Sequence, residues 1–593
     1  MKTMKRTLKA SCILAAAAIC LSGLASPASA QVMDQIPSDA LVVIKINHLQ
    51  ETDTKVANLL QTLGVTDLVP TMKDPLATLE TQLGIGPGID TKKDAAAAIL
   101  NGDMEKPQPP FVLLLPVSDY KAFLGSVTTV RTEGDVSIVH FKDNEDDAFV
   151  ENWGDYAAIS DKKENVLVKH EGLKPTGLSK KQLDDQDLCV YVNMPALKTV
   201  LLPKLGEGSK SASEEIAKQI TDPAKLKIAQ VALQEGVTFA TEFLNDTQGI
   251  TMGLSIGNDG ISGNTVVDFM PDTYLGKLAT QVKVTDQSLL TGLPKENYIF
   301  FGGSIQNPAV TAQVIEDAVA PISKELPGLG DDGKKLVELI DLYKQLFTAT
   351  DSATYGVVAP TAALGQGSLF RLIAIYKGDA EKIKTAQFKA ADLQNDVMKA
   401  FGVGQAADLM KTTVTPNFKT VNGVKFDQLK TEVNPDNTSQ QAMQMSEMLS
   451  MMYGPDGASA LNGVLDPKTL IMTLGVDDDL IGQVIDAAKA NTDVLTDEVK
   501  TVDSNLPKMR AGVAYLSLGQ LVTTGLNYAK ASGMNVGIQL PNNLPPIAFS
   551  VGTEGTAMRG DMFVPTKLLQ SMVQAGATIF QQFSGHGGGG GGL

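Results

Sequence analysis

One supersecondary pattern keeps returning along this 593-residue chain, and it narrows the possible folds more than any composition does. A short apolar run leads through a polar or small turn into a stretch with helical spacing. Leu41-Val42-Val43-Ile44-Lys45-Ile46 passes through Asn47 into a helix expected over 49–63. The run at 111–115 passes through Pro116-Val117-Ser118-Asp119 into 120–127, and the run at 188–192 through Asn193 into a helix from Pro195. The run at 298–301 continues through Gly302-Gly303-Ser304 and Asn307-Pro308 into 309–319, and the run at 513–516 through Ser517 into 518–528. Asn, Ser and Asp in these turns are the residues that cap helix N-termini. Pro195 and Pro308 suit a first helical turn, where no N–H is needed.

A second pattern is a hairpin followed by a helix. Strands expected at 250–256 and 261–270 turn at Gly257-Asn258-Asp259-Gly260 and lead into a helix at Pro271. Those at 353–359 and 369–376 turn through Gly365-Gln366-Gly367 and lead into a helix near Asp379. Those at 547–551 and 557–564 turn at Gly552-Thr553-Glu554-Gly555 and lead into a helix at Pro565. Gly and Asn supply the positive φ that such turns require. A further hairpin turns at Asn422-Gly423, and residues 212–245 read as two helices broken at Pro223. Together the patterns predict an α+β chain of serial duplicated units, each an antiparallel or mixed sheet with helices. Boundaries are expected near 174–177, 291–294 and 454–466. They give units over 31–174, 175–292, 293–455 and 456–583, between a leader at 1–30 and a disordered glycine-rich tail at 584–593.

The leader reads as a cleavable signal peptide. Lys2, Lys5, Arg6 and Lys9 precede an apolar stretch at 13–24, and Ala28-Ser29-Ala30 offers a small-x-small cleavage site. The apolar stretch is too short to span a bilayer, and no later run approaches that length. A periplasmic or secreted location is therefore expected, with no membrane span after cleavage. Removing residues 1–30, which carry four positive and no negative side chains, takes the formal net charge from −17 to −21. That balance argues against nucleic acid as a partner, because phosphate binding needs concentrated Lys and Arg. Cys12 and Cys20 leave with the leader. Cys189 then stands alone in an apolar strand, so no internal disulfide is available and a buried, inert thiol is expected.

Motifs that carry chemistry fail on inspection. Gly328-Leu329-Gly330-Asp331-Asp332-Gly333-Lys334-Lys335 misses the phosphate-cradling loop. Lys335 replaces the hydroxyl that would hold magnesium, and a helix end rather than a strand precedes it. Ser118-Asp119-Tyr120-Lys121 matches Ser-x-x-Lys but lacks its companion elements, and Ser118 reads better as a helix cap. His48, His140, His170 and His586 are scattered, with no metal-ligand spacing among them. The acidic runs at 143–147 and 477–479 lack the alternating pattern of a calcium loop and read as solvated loops. No catalytic, cofactor-binding or metal residue is nominated. Dispersed carboxylates acting in a hydrolase remain the alternative among enzymes.

The oddest local feature is Met443, Met445, Met448, Met451 and Met452 on a helix expected over 440–453. Clustered thioethers can hold Cu(I). The competing reading is a flexible apolar face that fills an irregular gap or docks a partner, since Met445, Met448, Leu449 and Met452 share one side of the helix, as core packing requires.

Three stretches carry a resemblance. Ile36-Pro37-Ser38-Asp39-Ala40-Leu41-Val42-Val43-Ile44 resembles the opening of a family of secreted bacterial proteins of unknown function. Residues 109–119 resemble a second landmark of that family, and Tyr156-Ala157-Ala158-Ile159-Ser160 its strand after an acidic loop. The likeness runs over 31–290. It implies a large exported α+β protein and brings no activity, cofactor or catalytic residue with it. The resulting expectation is a non-catalytic binding or scaffolding protein without a cofactor, its partner a protein or an apolar ligand. A single tryptophan, Trp153, and few other aromatics leave little for carbohydrate stacking.

Overall fold

The apolar runs become strands and the amphipathic stretches become helices in the computed structural model, which describes residues 32–102, 109–168, 171–360, 367–369, 371–400, 409–454, 457–531, 541 and 543–584. The leader, the tail from residue 585 on, His170 and part of the turn read at 365–367 lie outside the described residues.

In chain order, β1 (Val42–Ile46) is followed by α1 (Leu49–Thr62), α2 (Val65–Leu68) and α3 (Pro75–Leu83). Then come β2 (Ala95–Ile99), β3 (Phe111–Pro116) and α4 (Tyr120–Ser126). A meander follows: β4 (Thr128–Glu133), β5 (Val136–His140), β6 (Ala148–Asn152) and β7 (Tyr156–Ser160). Next are α5 (Lys163–Val166), α6 (Gly177–Asp185), β8 (Leu188–Asn193) and the long α7 (Met194–Gln219) and α8 (Pro223–Asp246). The hairpin β9 (Thr247–Ile256) and β10 (Gly260–Phe269) leads to α9 (Tyr274–Gln281).

The later part opens with β11 (Tyr298–Ile305), α10 (Pro308–Glu325), α11 (Asp331–Ala349), β12 (Thr350–Val358), β13 (Arg371–Gly378) and α12 (Ala380–Ala400). It continues with β14 (Met410–Val421), β15 (Val424–Val433), α13 (Gln440–Tyr453), β16 (Ala458–Asp466) and β17 (Thr469–Leu474). It ends with α14 (Asp478–Ala490), α15 (Asp497–Asp503), β18 (Gly512–Leu516), α16 (Leu518–Ala531), β19 (Ile547–Glu554), β20 (Ala557–Pro565) and α17 (Thr566–Ser584).

The chain gathers into two units. Unit 1 holds Met1–Lys204, Thr241–Thr280 and Glu554–Gln574, and unit 2 holds Leu205–Ala240, Gln281–Thr553 and Ala575–Leu593. In unit 1 the strands pair in the order β4-β5-β6-β7-β3-β2-β1-β8-β9-β10-β20, every pair antiparallel. In unit 2 the order is β14-β15-β16-β17-β13-β12-β11-β18-β19, again antiparallel throughout. The second order is the first nine strands of the first with ten added to each number. Helices fall in matching connections: α1 to α3 between β1 and β2, and α10 and α11 between β11 and β12. The architecture is α+β, built from repeated strand–helix units on antiparallel sheets.

The boundary read near 174–177 falls inside unit 1, where β8 bonds to β1 with Tyr191 beside Val43. The stretch 454–466 contains β16, which bonds to β15 and β17. The stretch 291–294 lies in unit 2, where Thr291 bridges to Asp493. Glycine and proline mark reversals of the chain, and reversals occur within a sheet as often as between sheets.

Unit 1 packs its largest core on the central strands. Val43, Ala96, Ala98, Val112, Leu114, Tyr156, Ala158 and Tyr191 are all buried there, with Trp153 at its margin. Smaller clusters in unit 2 include Leu339, Leu342, Ala390 and Val397 between α11 and α12.

Candidate functional site

Most of the residues singled out in the sequence turn out to hold the fold. Asp119, not Ser118, caps α4: its carboxylate accepts from Lys121 N at 2.9 Å and Ala122 N at 3.0 Å. Ser118 Oγ donates to Gly88 O at 3.3 Å. The carboxylate wins because it reaches two free N–H groups of the first turn and carries the charge that the helix N-terminus favours. His48, at φ 47°, precedes α1, and its N–H donates to Asp94 Oδ1 at 2.9 Å. His140 Nε2 lies 2.9 Å from Asp147 Oδ1 at the surface, which anchors the acidic run at 143–147. The run at 477–479 is no free loop: Asp477 caps α14 through Leu480 N at 2.9 Å and meets Arg371 at 3.3 Å, and Asp478 pairs with Lys419. In the near-miss phosphate loop, α11 starts at Asp331. Lys334 and Lys335 pair with Asp331 and Asp396, each at 2.8 Å.

Cys189 is fully buried on β8, and its thiol donates to Gln182 O at 3.3 Å. Burial pushes its pKa up to about 12 against the opposing pull of Lys45, so the thiol stays protonated and inert. Lys45 stands opposite Cys189 in the β1–β8 ladder. Its ammonium, wholly buried, sits 3.1 Å from Asp94 Oδ2 and donates to Leu183 O at 3.0 Å. Asn47 also donates to Leu183 O, at 2.7 Å, and Asp187 accepts from Lys55 and from Ile256 N, each at 2.7 Å. These bonds end largely on the main chain. They make a clamp that fixes the end of β1 against α6, although Asn47 Oδ1 is buried without a hydrogen-bond partner.

One carboxylate group has the electrostatics that acid–base chemistry uses. Burial raises the pKa of Asp53 on α1 and of Glu80 on α3, and Asp74 raises both further. Asp53 Oδ1 nevertheless accepts from Leu76 N at 2.8 Å, and Asp74 caps α3 through Ala77 N at 2.9 Å. Two of the three carboxylates are thus engaged in starting a helix. Among the described residues, no group of His, Cys, Asp and Glu is placed to hold a metal ion. No helix among them is long and apolar enough to cross a membrane.

The feature that stands apart is the helical layer of unit 2. Over 205–240, across the unit 2 portions of α7 and α8, no side chain is buried. None is buried on α10, nor on the described part of α16. Yet these helices are amphipathic: Leu226, Ile228, Val231, Leu233 and Val237 recur along α8, and Val310, Val314, Ile315, Val319 and Ile322 along α10. Most of these aliphatic side chains are only half-buried. Phe239, Val314, Tyr343, Phe347, Leu521 and Tyr528 go further and stand exposed, Phe239 at 59% and Phe347 at 46%. In the same unit α14 buries Leu480, Ile481, Val484 and Ile485 outright. Within it Lys227 Nζ lies 2.6 Å from Glu325 Oε2, Lys344 pairs with Glu316, and α10 packs on α11. The amphipathic periodicity of these helices is legible in the sequence, but not that their apolar side chains stay partly in water, since periodicity reports a preference for burial and not its completion.

No family model and no curated protein matches the chain. Among solved structures, the chain is similar to crystal form III of TP0453 at 8% identity, over 49% of this chain and 98% of that one, with a TM-score of 0.19. Crystal form IV of TP0453 gives 10% identity over 50% and 99%, also at 0.19, and crystal form I gives 8% over 48% and 97% at 0.18. Similarity at that level transfers neither fold nor function.

Proposed function

We propose that this is an exported, non-catalytic binding protein, periplasmic or secreted after cleavage at Ala30, whose helical layer in unit 2 takes an apolar ligand. The observation that carries the reading is that α8, α10 and α16 leave their apolar side chains half-buried or exposed, whereas α14 in the same unit buries its own. Large exposed apolar patches mark binding surfaces. A ligand with an acyl chain fits better than a protein partner. Protein hot spots are rich in Trp, Tyr and Arg, whereas residues 205–240, 308–349 and 518–531 contain no Trp or Arg and only two tyrosines, Tyr343 and Tyr528. Half-buried aliphatic side chains set along several helices are the lining that apolar small-molecule sites use.

The test is titration of the purified protein with cis-parinaric acid, a fluorescent acyl-chain probe. Saturable binding is expected, and Val314→Asp with Leu521→Asp should weaken it by roughly tenfold or more, equivalent to about 1.4 kcal/mol. Both positions are exposed, so the melting temperature should hold. No saturable binding by the parent, or equal binding by the double variant, overturns the reading. In that case an apolar face that binds no chain is left for a protein partner.

A further inference from the structure

The methionine helix α13 has no counterpart in unit 1. Between β5 and β6 unit 1 has only the short acidic loop around 143–147, whereas between β15 and β16 unit 2 inserts Gln440–Tyr453. The shared strand order closes without this helix, so its side chains are not needed to complete the sheet. Its ends are firm. Ser439 accepts from Ala442 N at 3.2 Å, Gly454 ends the helix at φ 82°, and Leu369 N donates to Met452 O at 2.8 Å. Ala442 alone on this helix is buried, and the helix rests on β15 and β16.

The methionines do not fill a core, as the shared-face reading required. Met443, Met448 and Met451 are 62%, 42% and 39% exposed, and Met445 and Met452 are half-buried beside them. Met448 is the centre of the group: Met445 lies three residues before it, Met451 three after and Met452 four after. Met451 and Met452 each have their Cβ about 5–6 Å from that of Met448, whereas Met445 lies about 9–10 Å along the axis from those two. Three rotatable bonds then let the thioethers of Met448, Met451 and Met452 converge. The outward neighbours are Gln441, Gln444 and Glu447, with no histidine or cysteine on the helix. Such a donor set is soft and neutral, which suits Cu(I) and disfavours Zn(II), Mg(II) and Ca(II).

From this geometry we infer that α13 is a Cu(I) site, with Met448 at its centre and Met451 and Met452, one helical turn away, supplying further thioether ligands. The site is independent of the apolar-ligand reading.

The test is anaerobic competition of the purified protein for Cu(I) against bicinchoninate. One Cu(I) per chain is expected on the parent. Met448→Leu should cost more than the roughly tenfold that even outer-shell changes cause, and replacing Met445, Met448, Met451 and Met452 together with Leu should abolish binding. Leu for Met keeps volume and apolarity, which costs less than about 1.5 kcal/mol even in packed sites, and circular dichroism checks the fold. Cys189 is common to all these proteins and cancels in the comparison. Met509→Leu, at another exposed methionine, should leave binding intact. A quadruple variant that holds Cu(I) as tightly as the parent, a parent that cannot compete, or an equal loss in Met509→Leu overturns the proposal.

Discussion

The strands around Lys45 in unit 1 and the helices around Val314 in unit 2 use their side chains in opposite ways. In unit 1, even a lysine is taken wholly out of water and met by Asp94 and a main-chain carbonyl. In unit 2, aliphatic residues that would gain by burial are left half in water along α8, α10 and α16. The difference is one of neighbours. A central strand such as β1 has β2 and β8 bonded on its two sides and its side chains enclosed in the unit's main core. A helix in the outer layer is covered only where another helix lies close. Burial is thus concentrated in the sheet core of unit 1, and under the proposed reading the less constrained helices of unit 2 are the binding region.

Three comparisons break or sharpen this contrast. Lys45→Met leaves Asp94 buried without its ion partner, and a loss of about 3–5 kcal/mol is expected. Urea unfolding followed by Trp153 fluorescence reads it, since Trp153 is buried in the same unit and donates to Val166 O at 3.1 Å. Lys45→Met with Asp94→Leu should recover much of that loss. A single-variant loss under about 1 kcal/mol, the scale of an exposed pair, would show that the clamp is dispensable.

The second comparison lies within unit 2. Ile485→Ala on α14 removes a fully buried side chain and should cost about 2–5 kcal/mol. Val314→Ala on α10 should stay within about 0.5 kcal/mol. Thermal denaturation of both variants decides the matter, and similar losses would mean that the α10 face is closed in solution.

The smallest effect concerns Glu80. Burial raises its folded pKa, so the fold is favoured by protonation, and stability contributed by this group is lost as pH rises through that value. Glu80→Gln should therefore raise the melting temperature at neutral pH, by the equivalent of less than about 1 kcal/mol. Below the ordinary carboxylate range of about pH 4 it should give no gain. A gain of the same size at both pH values would point to packing rather than charge.

Much of the local structure was legible. The helix at 440–453 was read to the residue, and the break at Pro223 falls between α7 and α8 as expected. The hairpins at 257–260 and 422–423 form where glycine and asparagine mark them, with Asn422 and Gly423 both at positive φ. Other elements were hidden. Ala95-Ala96-Ala97-Ala98-Ile99 forms β2, although an alanine run prefers a helix, because it lies between β1 and β3 where both neighbours bond to it. Little of the candidate sites was legible. Clustered methionines are visible in a sequence, but their exposure is not, and the half-open helices look like ordinary amphipathic ones.

The sequence by itself determined where strands and helices lie, that the chain is α+β, and that recognised constellations of nucleophile or metal-binding residues are missing. Those properties depend on side-chain chemistry and on periodicities of two and 3.6 residues, which act over a few neighbours. Only the tertiary structure decided that β7 lies beside β3 and β8 beside β1, that this order returns in unit 2, and which apolar faces stay open. Strand partners are chosen by contacts among residues far apart in the chain, and the burial of any one face depends on what the rest of the chain brings to it.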